Sequence, residues 1–159
     1  MIRKAETEEL NRILEIYQIA RKFMMDHGNP TQWGTEHPSK ELLENDLKQG
    51  NLYVITENNI IHGVFAFIIG EDETYSKIDG GWKNSSPYGT IHRIAGDRIG
   101  KGIFAQCLEF CLKKIGHLRI DTHQNNLLMQ HLIEKNGFER CGIIYVRDGS
   151  PRIAYELMK

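Results

Sequence analysis

The stretch from Tyr88 to Ile115, YGTIHRIAGDRIGKGIFAQCLEFCLKKI, holds the residues with the clearest chemical potential in this chain. Its pattern is a strand, a glycine-bearing turn and an amphipathic helix, which leaves backbone N–H groups where an anion can reach them. A pyrophosphate needs several N–H donors converging with no Cβ in the way. Gly100 and Gly102 meet that need, and the helix dipole adds a favourable field at the same place. Arg98 or Lys101 can add a charge contact. Two glycines before a helix also describe an ordinary tight turn, so the phosphate reading needs support from the rest of the chain.

Proton transfer is the second chemistry to look for. His92 lies on the strand that leads into the turn, and histidine is the residue type best suited to a general base, although a lone histidine on a strand is more often structural. His123, just past the next strand, and Glu71, on a polar loop, are further candidates. Cys107 and Cys111 stand at i, i+4 and could join His117 or Cys141 as metal ligands. Both fall on the apolar stripe of the central helix, so core packing and no metal is the expectation. Trp33 and Trp82, both on loops, either shape a pocket or cap the edge of the core.

The elements that must position these residues follow from periodicity. Ile2 to Ala5 reads as a short edge strand, and Thr7 as the cap of a helix with Leu10, Ile13, Leu14, Tyr17, Ala20 and Met24 on one face, ending near His27-Gly28. Ser39 caps a second helix through Leu42, Leu43 and Leu47, stopped by Gly50. Leu52 to Thr56 and Ile60 to Ile69 form an antiparallel hairpin across ENN. The stretch from Gly70 to Pro87 is mostly too polar for core. Tyr88 to Gly96 is a strand with Thr90, His92 and Ile94 on one face and Ile91, Arg93 and Ala95 on the other.

Ile103, Phe104, Cys107, Leu108, Cys111, Leu112 and Ile115 give the central helix its broad apolar stripe. Leu118 to Asp121 is a short strand, Asn125 or Asn126 caps a last helix that Asn136-Gly137 ends, and Gly142 to Val146 pairs with Arg152 to Met158 in a closing hairpin. The order β-α-α-β-β-β-α-β-α-β-β predicts an α/β or α+β fold with a mixed, mostly antiparallel twisted sheet flanked by helices, in one domain over residues 1–159.

Composition excludes several classes. Net charge is -1 with acids and bases interspersed, so neither nucleic acid nor an anionic membrane is favoured as a partner. No apolar run approaches the roughly 20 residues that span a bilayer, and MIRKAETEELNR lacks a signal core, which points to the cytoplasm. Three cysteines argue against a disulfide framework. The run Gly100-Lys-Gly102-Ile-Phe-Ala105 also satisfies a dinucleotide fingerprint with Asp121 as the ribose acid, but the antiparallel strands before it and the single helix and hairpin after it do not supply the repeated βαβ units. A Walker A loop is one residue short and lacks the Ser/Thr after its lysine.

With these residues in place, the sequence resembles the GCN5-related N-acetyltransferases, the GNAT superfamily, over nearly the whole chain. The family's acetyl-CoA signature Q/R-x-x-G-x-G/A aligns with Ile99-Gly100-Lys101-Gly102-Ile103-Phe104, with Ile99 in place of the leading Gln/Arg and Phe104 in place of the small residue. The pattern N-x-x-A-x-x-L-Y-x-x-x-G-F aligns with Asn126 to Phe138, with Met129 in place of the small residue and Ile133 in place of the tyrosine. The resemblance implies acetyl-CoA as cofactor and direct acetyl transfer to a primary amine of a small molecule or an exposed amino group. It implies main-chain contacts from Ile94, Ala95 and Gly96 to the pantetheine arm, a neighbouring Asn126, and a homodimer paired through the late strands. His92, His123 and Glu71 then compete for the base. With Ile133 at the tyrosine position, Tyr145 on the penultimate strand is the best remaining acid, against a plain role as a strand aromatic. A non-catalytic acyl-CoA-binding or sensor module is the alternative.

Overall fold

Strand β5 (Gly89–Gly96) runs through both of the units into which the chain divides, Met1–Phe67 with His92–Phe110 and Ile68–Ile91 with Cys111–Lys159. The structure is a computed structural model and describes residues 1–159. The sheet is mixed and mostly antiparallel, with eight strands, and four α-helices accompany it.

In the first unit the strand order is β1-β2-β3-β5, with β1 (Ile2–Lys4), β2 (Leu52–Glu57) and β3 (Ile60–Ile69) pairing antiparallel. The predicted hairpin is present, and Asn58 and Asn59 turn it with φ of 52° and 65°, the left-handed pair that matches the twist of the flanking strands. Helix α1 (Leu10–Asp26) starts later than the sequence predicts. Thr7 is not its cap: Thr7–Glu9 forms a 3₁₀ turn, and the Glu9 carboxylate accepts the Glu6 N–H at 2.8 Å while the Arg3 guanidinium holds it from the other side. Helix α2 (Lys40–Gln49) has the predicted ends, with Ser39 Oγ accepting the Leu42 N–H at 3.2 Å and Gly50 closing it at φ 72°.

The period-2 pleat of β2 feeds two separate layers. Leu52 and Val54 join Ile13, Ile16, Tyr17 and Leu43 of α1 and α2 in one core cluster. Tyr53 meets Phe65 and Phe110, the latter from helix α3 (Ile103–Leu112), at ring distances of 5.5 and 5.1 Å.

Strand β5 departs from the predicted alternation. Arg93 has φ 52°, and a left-handed residue in mid-strand rotates the chain so that the residues before and after it no longer share faces by simple counting. Two partners hold it there. The Tyr17 hydroxyl donates to the Arg93 carbonyl at 2.6 Å, and the Arg93 guanidinium grips the buried Asp46 carboxylate of α2 with contacts of 2.9 and 3.1 Å.

In the second unit the order is β5-β6-β8-β7-β4, built from β4 (Asp79–Gly80), β6 (His117–Thr122), β7 (Glu139–Tyr145) and β8 (Pro151–Met158). The β5–β6 pair is parallel, through Gly89↔Leu118 and Thr90↔Arg119, and the others are antiparallel. Helix α4 (Leu127–Lys135) is capped by Asn126, whose Oδ1 accepts the Met129 N–H at 3.1 Å.

The stretch from Gly70 to Pro87 is the main correction to the sequence expectation. It forms a 3₁₀ turn at Glu73–Tyr75 and the short β4, and it sends Tyr75 into a cluster with Tyr88, Ile144 and Ala154, against which Trp82 packs. Polar residues predominate there, but two aromatics carry enough apolar surface to anchor it. Cys107 and Cys111 are both fully buried, as the packing expectation has it.

Substituting Arg93 by Met leaves the Asp46 carboxylate buried without its cation, and the expected cost is about 3–5 kcal/mol of unfolding free energy. Urea unfolding of the variant checks this; stability equal to the parent would show that the pair does not hold the strand.

Candidate active site

The turn from Asp97 to Gly102 is shaped by a residue that the sequence did not single out. Asp97 has no exposed side-chain surface, and its Oδ1 accepts the N–H groups of Ile99 and Gly100, both at 2.9 Å. Its Oδ2 meets His62 Nδ1 at 2.7 Å and Arg12 Nη2 at 2.8 Å. Burial pushes the Asp97 carboxyl up, yet the N–H donors and the His62 ring together hold it below the ordinary carboxylate value. Arg12 is itself fixed by two hydrogen bonds to the Ile61 carbonyl, so α1, β3 and the turn meet at one carboxylate.

The two glycines of the turn therefore have different reasons. A Cβ on Gly100 would lie 2.5 Å from the Cβ of His62, so this position needs glycine for packing, and its N–H is directed to Asp97. Gly102 has φ 63° and nothing within 4 Å of where a Cβ would be, so backbone conformation demands glycine while the space beside it is open. The first helical bond of α3 runs from the Gln106 N–H to the Gly102 carbonyl, and the N–H groups before it face out of the helix's N-terminal end. Lys101 is exposed beside them. An open groove of about 600 Å³ adjoins the turn, lined among others by Thr56, Glu57, His62, Gly100, Lys101 and Gln106.

The other predicted contacts in this unit are placed as follows. Arg98, at φ 68°, lays its guanidinium 3.8 Å from the centroid of the Phe23 ring, and Ile99 is 73% exposed. Phe104 points into the core, as does Ala95. Gly96 packs on Ile103, where an added Cβ would come within 3.2 Å of Cγ1. His92 and Ile94 are half-buried on β5. Trp33 stands edge-on to Tyr17 at 5.7 Å.

The second unit holds the remaining candidates. His123 Nδ1 accepts the Asn125 N–H at 3.0 Å, so the neutral ring carries its proton on Nε2 and presents a donor rather than a base. Burial, and then the Arg152 charge, lower its pKa. Tyr145 is half exposed and donates its hydroxyl to Asp79 at 2.6 Å, and that bond with its charge raises the hydroxyl pKa, which weakens it as an acid. Glu71 is exposed. Asn126 serves as the α4 cap, and Ile133, at the tyrosine position, is fully buried. Tyr75 gives its hydroxyl to Asp121 at 2.7 Å, with burial and that carboxylate pushing its pKa far up. The hydroxyls of Thr90 and Thr122 are buried with no hydrogen-bond partner. No cluster of His, Cys, Asp or Glu is placed to hold a metal ion, and no helix is long and apolar enough to cross a membrane.

Asp97, His62 and Arg12 were missed because their roles depend on contacts distant in sequence. One local signal existed: an aspartate can accept the N–H two residues on, here that of Ile99, in an Asx-turn, in which the side chain replaces a backbone acceptor.

A crystal structure of a GNAT-family acetyltransferase from Streptococcus agalactiae 2603 superposes with a TM-score of 0.90 at 30% identity, covering 100% of this chain and 95% of that one. A ribosomal-protein-alanine N-acetyltransferase from Brucella melitensis matches at 0.63 and 17% identity, over 100% and 99% of the two chains. A Salmonella typhimurium structure with its cofactor acetyl-CoA matches at 0.63 and 15% identity, over 99% and 92%. At their identities the last two support the fold alone. No protein-family model and no curated protein sequence matches.

The lowered pKa of His123 gives a pH signature. A histidine whose folded pKa lies below its unfolded value contributes stability that is present above 6.5 and lost as pH falls toward the folded pKa, because the unfolded chain binds the proton first. His123→Gln is expected to remove part of the stability slope below pH 6.5, at most about 1.4 kcal/mol per pH unit. Denaturant unfolding at pH 7.5 and 5.5 reads it; identical slopes would show that the ring titrates normally.

Proposed function

Because the chain belongs to the GNAT family of acetyltransferases, we propose that it transfers the acetyl group of acetyl-CoA to a primary amine, on a small molecule or as an exposed amino group. The observation that carries this is the turn at Gly102, where a left-handed residue, open space and the N-terminal end of α3 coincide. A diphosphate fits such a place, since backbone N–H groups and the helix field favour an anion there and no side chain blocks its approach.

Acetyl-CoA supplies an activated acyl group as its thioester. The residues assigned to hold it are Gly102 and Ile103 through their N–H groups and Lys101 through its charge, with Ile94 and Gly96 of β5 offering main-chain contacts to the pantetheine arm. His92 is assigned to take the proton that the acceptor ammonium must lose before its nitrogen can attack. It lies on β5 beside the residue whose left-handed backbone Tyr17 and Asp46 hold in place. We do not assign His123 or Tyr145 a proton-transfer role, because each has its relevant lone pair or proton engaged within the protein. Positioning and polarisation by N–H donors contribute much of the rate in acyl transfer, so a dedicated acid is not required. Three free, buried cysteines fit a reducing, cytoplasmic setting.

The deciding experiment follows free thiol release from acetyl-CoA across a panel of amines. Amine-dependent release is expected; CoA binding with no release on any acceptor would overturn the transferase assignment for these substrates. Gly102→Val places a β-branched side chain at a left-handed position beside the turn, and CoA affinity read by calorimetry should fall at least about tenfold. Unchanged affinity would remove the phosphate from this turn. His92→Ala should lower turnover most at pH values where the acceptor amine is protonated, so its pH–rate profile should steepen; a loss independent of pH counts against the base role.

A further inference from the structure

We propose that Asp97 is the positioning residue of the cofactor turn: its buried carboxylate, held by Arg12 and His62, takes the N–H groups of Ile99 and Gly100 away from the ligand and leaves those of Lys101, Gly102 and Ile103 to bind the diphosphate. This rests on the assignment of acetyl-CoA to the turn.

The geometry divides the carboxylate cleanly. Oδ1 faces the turn and accepts both N–H groups at 2.9 Å, whereas Oδ2 faces away from it and meets His62 and Arg12 at 2.7 and 2.8 Å. The Asp97 N–H also donates to the His62 carbonyl at 2.9 Å, which ties the start of the turn to β3 by backbone as well as side chain. Gly100 closes the set by packing directly on the His62 Cβ. The turn is thus anchored at one end by Asp97 and opens at the other, at Gly102, with left-handed residues at Arg98 and Gly102 carrying the chain between them.

Two consequences follow for binding. An anionic diphosphate near a carboxylate is repelled unless that charge is neutralised, and Arg12, reaching Oδ2 from α1, supplies the neutralising charge without occupying the ligand's side of the turn. The donors that remain are those of the α3 entry, where the helix field is strongest. The motif spacing suggests that both glycines serve the ligand; the contacts assign that service to Gly102 and give Gly100 to the scaffold.

The test begins with the unmodified protein, isotopically labelled, with each backbone amide followed by NMR as CoA is added. The amides of Ile99 and Gly100 should exchange slowly with solvent before CoA is present and change little when it binds, while those of Lys101, Gly102 and Ile103 should shift strongly. Steady-state kinetics then compare two variants. Asp97→Ala should raise the KM for acetyl-CoA about 10- to 100-fold with a much smaller effect on kcat, and Asp97→Asn, whose amide oxygen can still accept both N–H groups but whose NH2 then meets the Arg12 donor, should recover part of that loss. If the alanine variant does not fold, the amide measurements and the asparagine variant decide. Fast exchange of Ile99 and Gly100 in the free protein, or CoA shifts at those two amides as large as at Gly102, would overturn the inference. Failure of the unmodified protein to bind CoA would instead overturn the assignment of the turn's ligand.

Discussion

A carboxylate with no exposed surface must find its compensation inside the protein, and Asp97 finds it in a cation, an imidazole and two backbone N–H groups. Each partner comes from a different part of the first unit, from α1, from β3 and from the turn itself. Removing the carboxylate would leave Arg12 to the Ile61 carbonyl and Glu15, and it would free the two N–H groups that now tie Ile99 and Gly100 to this centre. The path of the chain into Gly102 is in this sense tied to a negative charge buried five residues earlier. The Asp46–Arg93 pair works in the same way on β5, since a left-handed residue in mid-strand is unfavourable unless its side chain and carbonyl are both engaged.

The second unit is organised around a comparable charge, Glu156. Its Oε1 accepts the Lys83 N–H at 2.9 Å, and its Oε2 meets His117 Nε2 at 2.9 Å and Arg119 Nε at 3.3 Å. The Arg119 guanidinium lies over the Trp82 and Tyr88 rings at 3.9 and 4.0 Å and donates to the Asn84 carbonyl at 2.7 Å. These contacts make an ordered element out of a stretch whose composition reads as loop. Cation–π contact and a buried ion network add to the packing of Tyr75 and Trp82 in holding it.

Most of the fold was legible in the sequence because it rests on local signals. Apolar spacing gave the helices, Ser39 and Gly50 gave both ends of α2, Asn58-Asn59 marked the hairpin, and Asn126 capped α4. What escaped was everything decided by contacts between distant residues. Arg93 looks like an ordinary strand residue until Tyr17 and Asp46 are seen to hold it; Thr7 looks like a cap until Arg3 is seen to fix Glu9. Tyr75 and Trp82 sit among polar neighbours and gave no periodic signal at all. At the site, residue types that could transfer protons were easy to find, but whether a given His or Tyr is available depends on partners such as Asn125 and Asp79, which spacing does not reveal.

The departures of the turn from the GNAT signature become intelligible on the same terms. A phosphate site built from backbone N–H groups constrains where side chains must be absent more than which side chains are present. Ile99 replaces a polar residue at a position whose N–H belongs to Asp97 and whose side chain is 73% exposed, so the exchange leaves the backbone path intact. Phe104 replaces a small residue but turns inward, where it is 5% exposed and adds to the core. Neither substitution places an atom beside Gly102, the one position where the signature's demand for glycine and the open space of the structure coincide.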